Sequence, residues 1–421
     1  MVLGILALGK KFPPIANKTM TMSKAKNSCS QRMLFEQAER LDYLSKWPES
    51  ARFKKAVEER RRGVCYTMPG LKSDKLLNVP VSDEAQQCYD VHFCRVDLEL
   101  NCQGLTNLID MCHLELALNA TTILLSQMGH GVGKAGKPTI ITPTLLQLWG
   151  VRFQLLMALK LYSVLADELL PFEELDAPDL FYQYYNDNVD KTGSLVTFQT
   201  RLIHAEVLRF GSCPWKAVER IKRLESDVDK VISSLSASNE PEEHTTAWNC
   251  RLSVVQKMCA RVLFFLGEYM LSITTFHNIM RSCSRDETMA LLEAMFRIAL
   301  SVGDEKAANK LLEDVTKSSG SPSLLKAFRS VFLGAFVHAQ EYLQRFPRPD
   351  VDSYPALNSL AICLLYSGKV TDAVELYTKN VQLASEPLHA NLKAMLELGC
   401  STAEKSALLK DFIKGRTESS N

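Results

Sequence analysis

The chain has 421 residues, 49 Lys+Arg against 48 Asp+Glu and 46% hydrophobic residues, which suits a globular protein of about two or three domains. The near-zero balance, with no strongly basic block, removes the footprint that a general nucleic-acid binder needs to displace counterions from phosphates, so no nucleic-acid partner is expected. The apolar run Val2–Leu8 is far short of the roughly 20 residues that cross a bilayer and lacks the basic lead of a secretory signal; the chain reads as soluble and not secreted.

The cysteines agree with that compartment. Twelve are present, none in a C-x-x-C pair, and many sit in apolar helical stretches such as Val254–Leu266, as reduced buried thiols do. Cys88, Cys94, Cys102 and Cys112, with His92 and His113, offer only irregular gaps where zinc needs short paired spacings, so no metal is expected.

In chain order, residues 1–30 mix Pro, Ser, Lys and Thr without apolar periodicity and are expected as a mobile tail. Met33, Leu34, Ala38, Leu41 and Leu44 recur at helical spacing. Trp47-Pro48 then interrupts, and Ser50 to Arg62 resumes as a charged helix whose basic end is a solvated face. Met68-Pro69-Gly70 and Val79-Pro80 mark a loop-rich stretch, and helical periodicity returns near Leu105. From there the pattern is helix after helix, with no convincing run of alternating strands.

The helices repeat. Gly267, Gly303, Gly334 and Gly368 follow at intervals of 36, 31 and 34 residues, each between two apolar helices. Five residues past each glycine the residue is small (Ser272, Ala308, Ala339, Ala373), and nine past it is large (Phe276, Leu312, Leu343, Tyr377). A glycine accepts the left-handed backbone of a helix stop, the small residue admits a close second helix, and the large one fills the space under the next hairpin. This resembles the tetratricopeptide repeat, a helix-turn-helix unit of about 34 residues. The best copy is Leu357–Asn380, and Gly399 followed by Ala403–Phe412 reads as a capping hairpin.

Weaker copies precede these. One places Leu161 where glycine should be, with Ala166 and Leu170 at the small and large offsets; another follows Phe210-Gly211 with Ala217 displaced by one; a third lies around Cys112, Ala117 and Thr121. The expected fold is all-α, a superhelical array of tetratricopeptide-like hairpins (an α-solenoid). Its expected parts are the tail 1–30, a helical and loop-rich lead-in 31–104, degenerate repeats 105–232 with an aromatic insert 172–198, a mobile linker 233–246, and repeats with a terminal cap 247–421.

The sharpest enzymatic motif is GHGVGKAGKP (129–138), which carries both Gly131-x-Gly133-x-x-Gly136 and Gly131-x4-Gly136-Lys137. Pro138 stands where a phosphate loop needs a hydroxyl for magnesium, and Asn119–Met128 reads as helix where both motifs need a strand. A linker between hairpins is expected, without nucleotide. The sequence has no H-E-x-x-H and no G-x-S-x-G, and its eight histidines are scattered singly, so no catalytic residue and no cofactor is assigned.

Candidate partner-binding residues come from two places. The insert FYQYY supplies Tyr182, Tyr184 and Tyr185, because tyrosine gives contact area at low entropic cost, although packing the insert onto the solenoid is the plainer reading. The inner face of the repeats supplies Lys257 and Arg261, then Glu293 and Arg297, then Leu324 and Phe328, then Asn358 and Ile362, changing from charged to apolar along its length.

Five collinear segments carry a closer resemblance: WPESARFKKAVEERRR (47–62), GHGVGKAGKP (129–138), LQLWGVRFQLLMALKLY (146–162), PDLFYQYY (178–185) and the C-terminal repeats. Over roughly residues 31–421 the chain resembles a subunit family of the transport protein particle (TRAPP) complex, a multisubunit tether of the early secretory pathway. Family members carry a long acidic N-terminal extension that residues 1–30 do not match. The resemblance implies a noncatalytic scaffold that joins the large eighth and eleventh subunits. A Rab GTPase would be met only through the complex, in endoplasmic reticulum to Golgi traffic and also in autophagy. It implies a cytoplasmic protein held peripherally at the intermediate compartment and Golgi. The alternative is a generic repeat peptide-binding adaptor or cochaperone, which would show basic clamp residues where Leu324, Phe328 and Ile362 stand.

Overall fold

The structure is a computed structural model and describes residues 47–59, 63–77, 101–110, 113–185, 192–238, 241–281, 283–319, 323–344, 354–379, 386–399, 401–405 and 407. The expected tail, the helix expected over residues 32–44, Arg60–Arg62, the cysteines at 88, 94 and 112 with His92, and most of the terminal hairpin lie outside these residues. The described residues fall into two compact units, one ending at Ile279 and the other beginning at Met280. Among them the regular structure is helical, apart from one isolated bridge between Phe181 and Ser194.

The first unit holds α1 (Ala51–Glu58), α2 (Cys102–Asp110), α3 (Leu114–Leu125), α4 (Pro143–Ala158), α5 (Tyr162–Leu169), α6 (Phe198–Glu206), α7 (Trp215–Ala237), α8 (Glu242–Phe265) and α9 (Tyr269–Met280). Local chemistry sets several starts: the Ser50, Thr142 and Thr197 hydroxyls accept from the backbone amides of Phe53, Leu145 and Thr200, satisfying donors that the first helical turn leaves unpaired. Neighbours in sequence pack against each other from α2 through α5 and again from α6 through α8, with α6 also lying on α4.

Two expectations change here. The segment 233–246, expected as a mobile linker, is largely helix, since α7 runs to Ala237 and α8 starts at Glu242. Ser233, Ser234 and Ser236 of α7 and Glu242 and Glu243 of α8 face solvent, while the other side of α7 buries Ile221, Leu224, Val228, Val231 and Leu235 at spacings of three and four. Gly211, expected as a repeat stop, is extended (φ −91°), and the chain reaches it through a 3-10 turn, Val207–Phe210. Ala217 is buried as expected.

A third correction concerns the degenerate copy around Leu161. The left-handed residue is Lys160 (φ +62°), one place earlier. Counting from Lys160, offsets five and nine fall on Leu165 and Leu169, both buried, whereas Ala166 and Leu170 face solvent.

The second unit holds α10 (Arg285–Val302), α11 (Glu305–Ser319), α12 (Ser323–Phe332), α13 (Phe336–Gln344), α14 (Tyr354–Tyr366), α15 (Val370–Lys379) and α16 (Glu386–Gly399). Here α10 pairs with α11, and each helix from α12 to α16 packs on the next. Gly267, Gly303, Gly334 and Gly368 all adopt positive φ, between +75° and +87°. At each, the following amide reaches back five residues to a helix carbonyl, as Asp304 does to Ala299 (2.9 Å) and Lys369 to Leu364 (2.9 Å). Lys160 makes the same closure, with Leu161 donating to Leu156 (2.9 Å).

The small positions Ser272, Ala308, Ala339 and Ala373 are all 0% exposed. Ser272 turns its hydroxyl onto the carbonyl of Ala260 (2.8 Å), so a polar residue fits where the others have a methyl. Phe276, Leu343 and Tyr377 are buried in the large position, and Leu312 is half-buried. The repeat cores are correspondingly small: Ala327, Val331, Ala339, Leu343, Ala356 and Cys363 form one, while Ala361, Ala373, Val374, Tyr377, Leu392, Met395 and Leu396 belong to the next.

Candidate interaction surfaces

Helix α3 runs through a π-turn, Ser126–His130, directly into the glycine-rich loop, so a helix feeds it and not a strand. Gly129, Gly133 and Gly136 all have positive φ. The loop's donors point back into the chain: Gly136 donates to Met68 (3.0 Å) and Lys137 to Lys134 (3.0 Å), while Leu71 donates to His130 (3.0 Å). His130 is buried, its Nδ1 donates to the carbonyl of Pro69 (3.1 Å), and burial holds its pKa below the ordinary value. A β-carbon on Gly70 would lie 2.3 Å from the Ala135 nitrogen. The loop is clamped to residues 68–71, and its backbone is arranged around its own chain, unlike a phosphate cradle.

The aromatic insert is held the same way. The Asp179 carboxylate, buried, accepts from the amides of Tyr66 (2.9 Å) and Thr67 (2.6 Å) and from the Thr67 hydroxyl (2.8 Å). Tyr184 is buried; its hydroxyl donates to the Val64 carbonyl (2.8 Å) and accepts from the Val64 amide (3.0 Å), and desolvation raises its pKa. Tyr185 donates to the Asp179 carbonyl (2.9 Å) and Tyr182 is half-buried. Arg52 reaches Glu173 and Asp176 from α1. The insert therefore packs the lead-in onto the unit, with Phe53 against Phe181 at 5.0 Å between ring centroids. Of the three tyrosines proposed from sequence, Tyr184 is enclosed.

The repeat face is also more closed than its spacing suggests. Arg261 is buried because α6 lays Glu206 against it (2.6 Å). Phe328, Asn358 and Ile362 are buried, and Asn358 accepts from the Tyr377 hydroxyl (2.8 Å) and the Asn391 amide nitrogen (2.7 Å). Leu324 is half-buried against its repeat core. Arg297 is exposed, its guanidinium 5.4 Å above the Phe328 ring. The open groove expected along these residues thus contracts to Arg297, with Lys257, Glu293 and Leu324 half-covered.

Sequence spacing passed over two polar constellations. Arg152, buried, forks onto both Glu168 oxygens (2.7 and 2.8 Å) and reaches the Thr121 and Thr122 hydroxyls, locking α3, α4 and α5 together. At the helix ends near 160, 210 and 265, Tyr162 stacks on Phe210 (3.6 Å, 5°), Phe210 lies 6.3 Å from Phe265, and the Arg209 guanidinium sits 4.2 and 5.3 Å from those two phenyl rings. An aromatic residue within two places of each helix end was the available signal.

Among the described residues no helix is long and apolar enough to cross a membrane. No protein-family model matches the chain. Trafficking protein particle complex subunit 12 of Homo sapiens is 30% identical over 405 residues, covering 86% of this chain and 55% of that protein. The Mus musculus protein of that name is 30% identical over 393 residues, covering 84% of this chain and 49% of its own. A crystal structure of yeast Tom70 aligns with 100% of this chain and 80% of its own at 12% identity and a TM-score of 0.33. Over most of its length the chain resembles the subunit 12 proteins of the trafficking protein particle complex, and it spans about half the length of these curated relatives.

Proposed function

We propose that the chain is a noncatalytic scaffold subunit of a TRAPP complex, holding the large eighth and eleventh subunits in endoplasmic reticulum to Golgi traffic and in autophagy, with a Rab GTPase met only through the complex. It would sit peripherally on membranes of the intermediate compartment and Golgi, carried there by its partners. The observation that carries this reading is the 30% identity to subunit 12 over 405 residues, which runs through both helical units. The clamped loop at 129–138 supports the noncatalytic part, because the amides of Lys134, Gly136 and Lys137 are engaged by backbone carbonyls. Affinity capture of the tagged full chain from cells tests the reading directly: the eighth and eleventh subunits should co-purify in stoichiometric amounts. Capture without any TRAPP subunit, or saturable ATP or GTP binding by calorimetry that Lys137→Ala abolishes, would overturn it.

A further inference from the structure

The helix ends near 160, 210 and 265 in the first unit gather two arginines, one carboxylate and three aromatic rings. Glu206, at the end of α6, places its carboxylate between two guanidinium groups, 3.0 Å from Arg209 and 2.6 Å from Arg261. Arg209 carries only 11% of its side-chain exposure, yet its terminal nitrogens take no hydrogen bond among the described residues; its contacts are Glu206 and the two phenyl rings. Burial lowers the Arg209 pKa, and the nearby Arg261 charge acts in the same direction. With Glu206 set against Nε, the terminal nitrogens of Arg209 are the edge left for a second anion.

The surroundings define that anion. The guanidinium carbon lies 4.2 Å from the Phe210 centroid and 5.3 Å from that of Phe265, contacts that hold the group in place, and its two terminal nitrogens offer paired N–H donors of the kind a carboxylate takes. Phe265 is 47% exposed, so an apolar surface lies beside the donors. An anionic membrane is the poorer fit, because lipid surfaces are held by clusters of about four to eight basic residues and this shelf offers one accessible edge. The shelf lies at helix ends and adjoins Arg261, which shares the Glu206 carboxylate with Arg209.

We propose that Tyr162, Arg209, Phe210 and Phe265 form a docking shelf for an acidic peptide segment of a partner protein, one carboxylate pairing with Arg209 while an adjacent apolar side chain covers Phe265. The proposal rests on reading the chain as a partner-holding subunit. Its test uses the full chain and fluorescence anisotropy with a labelled Asp-Glu-Phe-Asp-Leu peptide and its Asn-Gln-Phe-Asn-Leu counterpart.

The acidic peptide should bind and weaken with salt, and the neutral peptide should bind about tenfold or more weakly. Arg209→Ala should reduce acidic-peptide binding by a similar factor, Arg209→Lys by less, and Phe265→Ser should also weaken it. Arg223→Ala, an exposed cation paired with Glu174, should leave it unchanged. Circular dichroism checks that each variant is folded. Equal binding of the two peptides, wild-type affinity in folded Arg209→Ala, no binding of either peptide, or Arg209-dependent binding to phosphatidylserine vesicles alone would each overturn the shelf. None of these outcomes alters which TRAPP subunits co-purify, so the two proposals fail separately.

Discussion

Gly70→Ala is the substitution whose cost the structure fixes most tightly. The added methyl would stand 2.3 Å from the Ala135 nitrogen and 2.9 Å from both the Ala135 α-carbon and the Lys134 carbonyl carbon. All three are backbone atoms, so no side chain can rotate away, and the 129–138 loop must lift. Lifting breaks the Gly136 to Met68 bond (3.0 Å), the Leu71 to His130 bond (3.0 Å) and the His130 to Pro69 bond (3.1 Å). At about 1 kcal/mol each, the local cost is about 2–4 kcal/mol. Hydrogen exchange read by mass spectrometry on peptides covering 66–72 and 129–138 should accelerate by about 30-fold or more, since each 1.4 kcal/mol is roughly tenfold. Gly133→Ala is the internal standard: its φ is +72° but nothing lies within 4 Å, so only backbone strain of about 1–2 kcal/mol applies, partly offset by a less flexible unfolded chain. Wild-type exchange in Gly70→Ala, or a smaller effect there than at Gly133, would refute the clamp.

Lys160→Gly should be neutral or stabilise by up to about 1.5 kcal/mol, as relief of left-handed strain exceeds the flexibility added to the unfolded chain; a loss above about 1 kcal/mol in urea unfolding would count against Lys160 being the true helix stop. All four tryptophans lie in the first unit, so their fluorescence reports that unit's midpoint. Ala373→Leu, overpacking a closed site, should cost about 1–3 kcal/mol, and Lys369→Leu in the exposed turn should stay within about 0.5, so equal melting by circular dichroism would break the repeat register. His204 is buried and its pKa is lowered to about 4, by burial first and then by the Arg220 charge. Because the folded value lies below the unfolded one, its stabilisation is complete above about pH 6.5 and is lost as pH falls toward 4, about 3 kcal/mol in all. His204→Gln should flatten that slope, and parallel pH curves for the two proteins would sink the assignment.

The hairpins were legible because a left-handed helix stop favours glycine, and Gly267, Gly303, Gly334 and Gly368 announce it at repeat spacing. Lys160 does the same work with a residue that carries no such signal, which is why that register slipped by one. The α7 and α8 helices were missed across 233–246 because serine-rich composition outweighed the three-and-four spacing ending at Val231 and Leu235. The interaction face was the least legible. Spacing assigns a residue to a helix face but not what another element lays over it, and Glu206 closes Arg261 from a separate helix. The Arg209 shelf gathers residues from three helix ends roughly fifty positions apart, a distance over which no local pattern operates.

The Asp179 clamp also sets an order of events during synthesis. Thr67 waits 112 residues for its carboxylate, and Trp47 waits until Trp248 is made to find the ring it packs against. At about 5–20 residues per second, the first interval is roughly 6–22 s, during which the lead-in emerges from the ribosome without its docking surface. Trp47, Phe53 and Tyr66 are then exposed apolar groups on a nascent chain, which makes this segment a target for chaperone protection and for nascent-chain proteolysis.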